Sequence, residues 1–319
     1  MGARIFNSHF LRNAIFLSVI GAGIYYFIKK GPDFARLLDI SFYNISIATA
    51  VIFISYIVYG LRLKQLFSHF IALEGKEWFG FPMIVGAGNQ FLFKAGTVTL
   101  AVYLKNRHQL PFIRFLAVMT VDKILHIYGL NIFGLWIAWR LYNADIMPFH
   151  MVLAFAIALS ISTFILYFNS VRIASGDIRI LNFISKALDS WHHYKKDVGN
   201  QIRLIGYHVL YMIAWAFRFY VAFYILNHPI SLVQGMAMAF VAFFAGLLTP
   251  IPGSLGVREA AVGFSMTLLG NNFDHGVFAT VLDRILATFW SSLLAVVFFQ
   301  VLHLKNYPRE MGPLQNGKG

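Results

Sequence analysis

The chain has 319 residues, 59% of them hydrophobic and only 12% charged, a balance that excludes an ordinary soluble enzyme. Its 26 Lys and Arg against 13 Asp and Glu give a formal net charge of +13, which points to nucleic acid only if membrane topology does not already claim the surplus. It has no cysteine, so disulfides, thiolate metal sites and cysteine nucleophiles are excluded.

The first apolar run, 12–28, follows Arg4 and Arg12 and ends in Ile28, Lys29 and Lys30 without a small-residue cleavage site, so it reads as a retained anchor helix. Phe6 stands where a myristoylation signal needs Ser or Thr, which argues against lipidation. Uninterrupted spans follow near 40–60, 112–139, 148–169, 204–226 and 276–302, which with the first make six crossings. Two further apolar stretches, 78–104 and 231–270, are broken in the middle. The first break runs Asn89, Gln90, Phe91, Leu92, Phe93, Lys94, Ala95, Gly96, and the second runs Thr249, Pro250, Ile251, Pro252, Gly253, Ser254, Leu255, Gly256. Each stretch reads as two half-helices facing an internal site, because backbone freed at membrane depth needs protein or a watery cavity to satisfy it; a simple kink is the alternative. Between them, the polar stretch 171–202 carries Trp191, His192, His193 and Tyr194 among lysines and reads as an interfacial amphipathic helix against anionic head groups. No ligand spacing there suggests a metal.

Charge placement tests whether the broken stretches return to their starting side, since basic residues accumulate in cytoplasmic loops. Five of the 26 basic residues, Lys94, Lys123, Arg218, Arg258 and Arg284, fall within apolar stretches. If both broken stretches return, only Lys29, Lys30, Arg36 and Arg140 lie opposite the N-terminus and 17 lie on its side. If each crosses once, the split becomes 9 to 12 and the bias vanishes. Re-entrant hairpins with both termini cytoplasmic are therefore preferred, and the surplus charge needs no nucleic acid. Three crossings then separate the hairpins, so they enter from opposite faces. Val121, Asp122, Lys123, Ile124, Leu125 after Gly96 is echoed by Leu282, Asp283, Arg284, Ile285, Leu286 after Gly256, with Gly-to-Asp offsets of 26 and 27. Inverted repeats of about 40–140 and 204–302 follow, with broken helices meeting near the midplane as in many secondary transporters.

Eight ionisable residues thus sit at membrane depth: the five bases with Asp122, Glu259 and Asp283. Each ion near the bilayer centre costs at least about 2.5–3.5 kcal/mol, so they face inward or snorkel. One reading is that Asp122 and Asp283 pair with bases on other helices and fix the packing. The other is that the surplus positive charge, with Lys94 and Arg258 at the two breaks, binds an anion. Half-helix N-termini near Thr97 and Val257 would add backbone N–H groups to such a site. Arg258 would be the stronger phosphate anchor because its guanidinium can offer two parallel hydrogen bonds, unless it pairs with Glu259 or Asp283 instead. His126 shares a helix face with Asp122, as a proton relay or as a structural hydrogen bond. No GxSxG, P-loop, Rossmann or HExxH pattern is present, so the chain does not read as an enzyme and implies no cofactor.

The string from Thr249 to Ala260, TPIPGSLGVREA, resembles the second-half signature of the lysylphosphatidylglycerol synthase transmembrane-region family, also described as the flippase-like domain family. Pro252, Gly253, Gly256 and Glu259, followed by Asp283 and Arg284, match its Pro-Gly-x-x-Gly-x-x-Glu element and acidic-basic pair. Lys94, Gly96, Asp122 and Lys123 fit the related first-half element, although Thr97 stands where the family usually has Glu and Phe93 where it often has Gly. The resemblance spans nearly the whole chain. It implies a stand-alone member that handles lipid without an aminoacyl-transferase domain.

The expected protein is all-α and polytopic, a single integral membrane domain over 1–319 with six transmembrane helices and two broken, re-entrant hairpins in an inverted repeat. Its expected function is to translocate a lipid with a phosphate-bearing head group between leaflets of a bacterial inner membrane: an aminoacylated phospholipid, another phospholipid or a polyprenyl-phosphate carrier. Arg258, Lys94, Glu259, Gly253, Gly256, Asn89, Asp122, Lys123, Asp283, Arg284 and Arg218 are the candidate substrate-binding residues. A non-transporting lipid-binding scaffold partnering an envelope-lipid or polysaccharide enzyme is the alternative. An intramembrane enzyme would have only Glu259, Asp283 and His126 to work with.

Overall fold

Ser41, whose hydroxyl accepts from the Asn44 N–H at 3.3 Å, starts the first helix that the computed structural model describes, α1 (Phe42–Phe67). The structure describes residues 40–92, 94–168, 197–249 and 251–302. The expected anchor run and residues 171–196 of the polar connector lie outside them. Among the described residues the chain is helical, with no strand.

After α1 come α2 (Gly75–Phe91), α3 (Ala95–His108), α4 (Phe112–Tyr142) and α5 (Phe149–Phe168). The second half runs α6 (Val198–Ile225), α7 (Leu232–Leu248), a 3₁₀ turn (Pro252–Ser254), α8 (Val257–Leu268) and α9 (Phe273–Val301). α2 and α7 begin alike. The Glu77 carboxylate accepts from the Glu74 N–H at 2.8 Å, and the Gln234 amide accepts from the Ser231 N–H at 2.8 Å. Asp197 and Asn272 cap α6 and α9 through side-chain oxygens.

Among the described residues four helices, α1, α4, α6 and α9, are long and apolar enough to cross a membrane, whereas 149–164 within α5 and most of α7 form shorter apolar helices. Two expected boundaries move. α1 continues past residue 60 to Phe67 and carries Arg62 inside it, and α6 begins at Val198 rather than 204. A charged residue near an apolar run's end looks like loop, but Arg62 is turned inward onto partners, whereas Lys64 and Arg203 stay exposed.

The helices of the second half repeat those of the first. α1 to α4 have 26, 17, 14 and 31 residues, and α6 to α9 have 28, 17, 12 and 29. Contacts between α1 and α6 give their relative direction: Ser55 meets Arg218, Tyr59 meets Tyr211, Arg62 meets His208 and Gln65 meets Asn200. As one number rises the other falls, so these corresponding helices run antiparallel.

Among the described residues two large apolar cores and a small third, of Ile52, Tyr56 and Met83, result. Of the large ones, one gathers Leu63, Phe67, Phe81, Leu104 and Phe115 around α1 to α4, and the other gathers Met212, Phe219, Phe223, Met238 and Leu282 around α6, α7 and α9. Outward, α1, α5 and α9 expose Ile54, Leu153, Ile157, Ile161 and Val296, as lipid-facing surface does. The packing is uneven. α9 lies between α2 and α8 along much of its length, whereas α4 packs on α5 and α6 and barely meets α3.

Candidate functional site

The two breaks touch each other. Gly253 has φ +60°, a left-handed conformation that glycine tolerates, and a Cβ there would collide with Gln90 Oε1 from the first break. Gln90 also donates its amide N–H to Thr288 Oγ1 on α9 at 3.1 Å, tying α2 to the helix that carries Asp283.

The second break is clamped by Arg284. Its Nη1 donates to the Gly253 carbonyl at 2.7 Å, its Nη2 reaches the Ser254 carbonyl at 3.4 Å, and its Nε lies 2.7 Å from Glu259 Oε1. The other Glu259 oxygen accepts the Gly256 N–H at 2.8 Å and so closes the start of α8. Behind this clamp, Arg218 donates to both oxygens of Asp283, Nε at 2.7 Å and Nη2 at 3.0 Å, a bidentate pair. Arg258 Nη2 donates to Asp283 Oδ2 as well. Both guanidiniums lie over Trp215, 4.5 and 4.6 Å from its ring centroid. Arg258, expected to face an anion, is therefore turned onto Asp283 and not onto Glu259. Arg218 is a direct partner of the buried carboxylate.

The first break is open. α2 ends at Phe91, Leu92 is extended and Lys94 stands at the N-cap of α3 with φ 58°, left-handed backbone that costs a lysine about 1–2 kcal/mol. The side chain of Asn89 spans the gap, accepting from the Thr97 N–H at 3.3 Å and donating to Thr97 Oγ1 at 3.2 Å. Gly88 permits this tight reversal, since a Cβ on it would lie 2.5 Å from the Gly96 nitrogen. Lys94 and Lys123 are both exposed and close enough to feel each other's charge. Among the described residues Lys123 has no hydrogen bond or ion pair, although Asp122 and Arg62 act on it electrostatically.

Asp122 is fully buried next to that opening. Arg62 Nε lies 3.5 Å from Asp122 Oδ1, and His208 Nε2 lies 3.4 Å from the same oxygen. Neither carboxylate oxygen makes a hydrogen bond among the described residues. Arg62 is twenty residues past the start of α1, and Arg218 is twenty past the start of α6. Asp122 and Asp283 each stand ten past the start of α4 and α9. The two halves thus carry matching Arg–Asp pairs, one engaged at both oxygens and one loose. Lys94 and Arg258 belong to different clusters.

The family described as the lysylphosphatidylglycerol synthase TM region matches residues 84–295, well over half of the chain and inclusive of both breaks and both aspartates. The chain belongs to the lysylphosphatidylglycerol synthase transmembrane-region family. Comparison with curated proteins finds no match. Membership in this family together with four long apolar helices makes the chain a membrane protein. Lys94, Asp122, His208, Arg218, Arg258, Asp283 and Arg284 all fall inside the matched segment, whereas Arg62 precedes it.

Sequence reasoning missed Arg62, His208 and Trp215. Arg62 was assigned to a loop because it follows an apolar run, yet it is 4% exposed. Its correspondence with Arg218 appears only once the structure sets the helix starts at Phe42 and Val198. His208 and Trp215 gave no such signal, because an isolated His or Trp in an apolar helix has many structural uses.

Proposed function

We propose that the protein is a flippase-like transporter that moves a lipid with a phosphate-bearing head group between the leaflets of a bacterial inner membrane. The observation that carries this reading is the exposed pair Lys94 and Lys123 beside the N-terminus of α3, next to a second break that is clamped shut. Two neighbouring ammonium groups at a half-helix N-terminus suit a phosphate, which would offset both their repulsion and the cost of holding them at membrane depth. Family membership supports a lipid-related role.

In this reading α2–α3 and α7–α8 are re-entrant hairpins, both chain termini are cytoplasmic, and the head group enters at the first break while its acyl chains stay in lipid. The second break is the closed gate. Opening it requires Arg284 to release Glu259 and the Gly253 carbonyl. The phosphate then passes to Arg258, whose Nε makes no hydrogen bond among the described residues. Asp283 and Arg218 hold Arg258 until the phosphate takes it over, so no naked charge crosses hydrocarbon. The protein does no chemistry on the lipid. An envelope-lipid enzyme would supply it, and an aminoacylated phospholipid, another phospholipid or a polyprenyl-phosphate carrier fits the same site.

The test is leaflet exchange of a fluorescent phosphate-bearing lipid in vesicles that contain only this protein. Wild type should exceed empty vesicles. Lys94→Ala combined with Lys123→Ala should slow exchange at least about tenfold, because each charge-assisted hydrogen bond is worth about 1.5–3 kcal/mol. Exchange at the empty-vesicle rate in wild type would leave a scaffold, and a change in lipid mass would indicate an enzyme.

A further inference from the structure

The second partner of the buried aspartate differs between the two halves. Asp283 has Arg218 and Arg258, both permanently charged, whereas Asp122 has Arg62 and His208. The first charge centre therefore equals the second in charge only when His208 carries an extra proton.

The hydrogen bonds show which form the structure holds. Arg62 Nη1 lies 3.2 Å from His208 Nδ1, and a guanidinium can only donate, so this nitrogen accepts. His126 Nδ1 lies 2.9 Å from the same atom and shares its single lone pair as a second, weaker donor. The proton of His208 is then on Nε2, facing Asp122 Oδ1, and the ring is neutral. A proton arriving at Nδ1 is incompatible with both contacts. His126 can switch tautomer and accept, but Arg62 has to leave, and the nearest acceptors are the Asp122 oxygens, which make no hydrogen bond among the described residues. Arg62 would then engage Asp122 as Arg218 engages Asp283.

We infer that His208, with His126 as its proton partner, is a proton-binding site that couples lipid movement to a pH gradient. The inference rests on the transport reading above. The proton comes from hydronium on one side and returns to water on the other: an O–H bond breaks as the N–H bond forms, and the reverse occurs on release. Protonated, the first half takes the clamped arrangement of the second. Neutral, it stays loose. The groups acting on His208 are Arg62 from α1 and Asp122, Lys123 and His126 from α4, with the rings of Tyr59 and Tyr211 against the Arg62 guanidinium. α7 contributes Phe243 against His126 and has no titratable residue. α9 turns Asp283 and Arg284 to the other centre, with Asp274 and His275 in its first turn.

Vesicles with a pH difference of one unit and the fluorescent phosphate lipid test the coupling. One proton per lipid lets wild type build a leaflet ratio of up to about ten, because one unit of pH is 1.36 kcal/mol. His208→Gln, which can hydrogen-bond but cannot take a charge, should leave the ratio near one. Equal ratios in both proteins would overturn the inference. A second measurement stands apart from transport: nitrogen NMR of labelled histidines in purified protein, with His208→Gln to assign the signal. His208 Nδ1 should change from a bare acceptor to an N–H as the pH is lowered. An Nδ1 bare at every pH overturns the proton site even if no lipid moves, whereas absence of lipid movement with normal titration overturns only the transport reading.

Discussion

The two halves of the molecule place the same residue types at the same helical positions and use them differently. At the second break, Arg284 holds two carbonyls and a carboxylate, and Asp283 is bonded at both oxygens by two arginines. At the first, Lys123 takes the place of Arg284 but is exposed, and Asp122 has its arginine 3.5 Å away. A guanidinium can staple a broken backbone because it is a planar fork of donors; an ammonium on a flexible stem cannot. The comparison teaches that an arginine staples one break through its side chain, whereas the lysine at the matching position leaves the other break to Asn89.

The sharpest way to break the comparison is to neutralise the two aspartates in turn. Asp283→Asn strands Arg218 and Arg258 in the interior and should lower stability by about 3–5 kcal/mol, whereas Asp122→Asn should cost less than half of that, since Arg62 is only loosely engaged. Thermal unfolding of both variants in the same detergent checks this, and equal losses would contradict the assigned asymmetry. Next in size, Arg284→Lys should cost about 1–3 kcal/mol by losing the fork to Gly253 and Ser254, and should raise protease or label access to residues 249–256. Unchanged access would remove Arg284 as the clamp.

Lys94→Gly separates strain from charge. It should raise stability by about 1 kcal/mol, because glycine accepts the left-handed backbone, while lowering lipid exchange. A variant that gains stability and keeps full exchange would exclude Lys94 from the phosphate site. The smallest effect belongs to the solvent edge of the first hairpin. The Glu74 carboxylate is held below its ordinary range, first by a hydrogen bond from Lys76 and then by the charges of Lys76 and Arg107. A carboxylate lowered in the folded state stabilises above its unfolded pKa, and that contribution fades as pH falls through the folded value. Glu74→Gln should therefore flatten a slight acid sensitivity of the melting temperature by slightly lowering stability at neutral pH, with added salt mimicking the substitution.

Both breaks were legible before any coordinates, because Asn89 to Gly96 and Thr249 to Gly256 put polar, Pro and Gly residues where an apolar helix cannot continue. Asp122 and Asp283 were legible as charges that lipid does not tolerate. Their partners were not. Either reading of Arg258, ligand anchor or ion-pair member, satisfied the sequence, and only the approach of α8 to α9 selects Asp283. Arg62 was misplaced because a basic residue after an apolar run normally snorkels toward a head group, whereas here Asp122, His208 and two tyrosine rings draw it inward.

By itself, then, the sequence determined a membrane-embedded helical protein with two broken segments and two aspartates at corresponding depth, since hydropathy and the cost of buried charge act locally on the chain. The tertiary structure decided which charges neutralise each other, which break is clamped and where a titratable histidine replaces an arginine. Those are matters of distance between helices that are far apart along the chain. Pairing energies of buried ions depend on that distance and on which donors are free, and neither quantity is written in residue order.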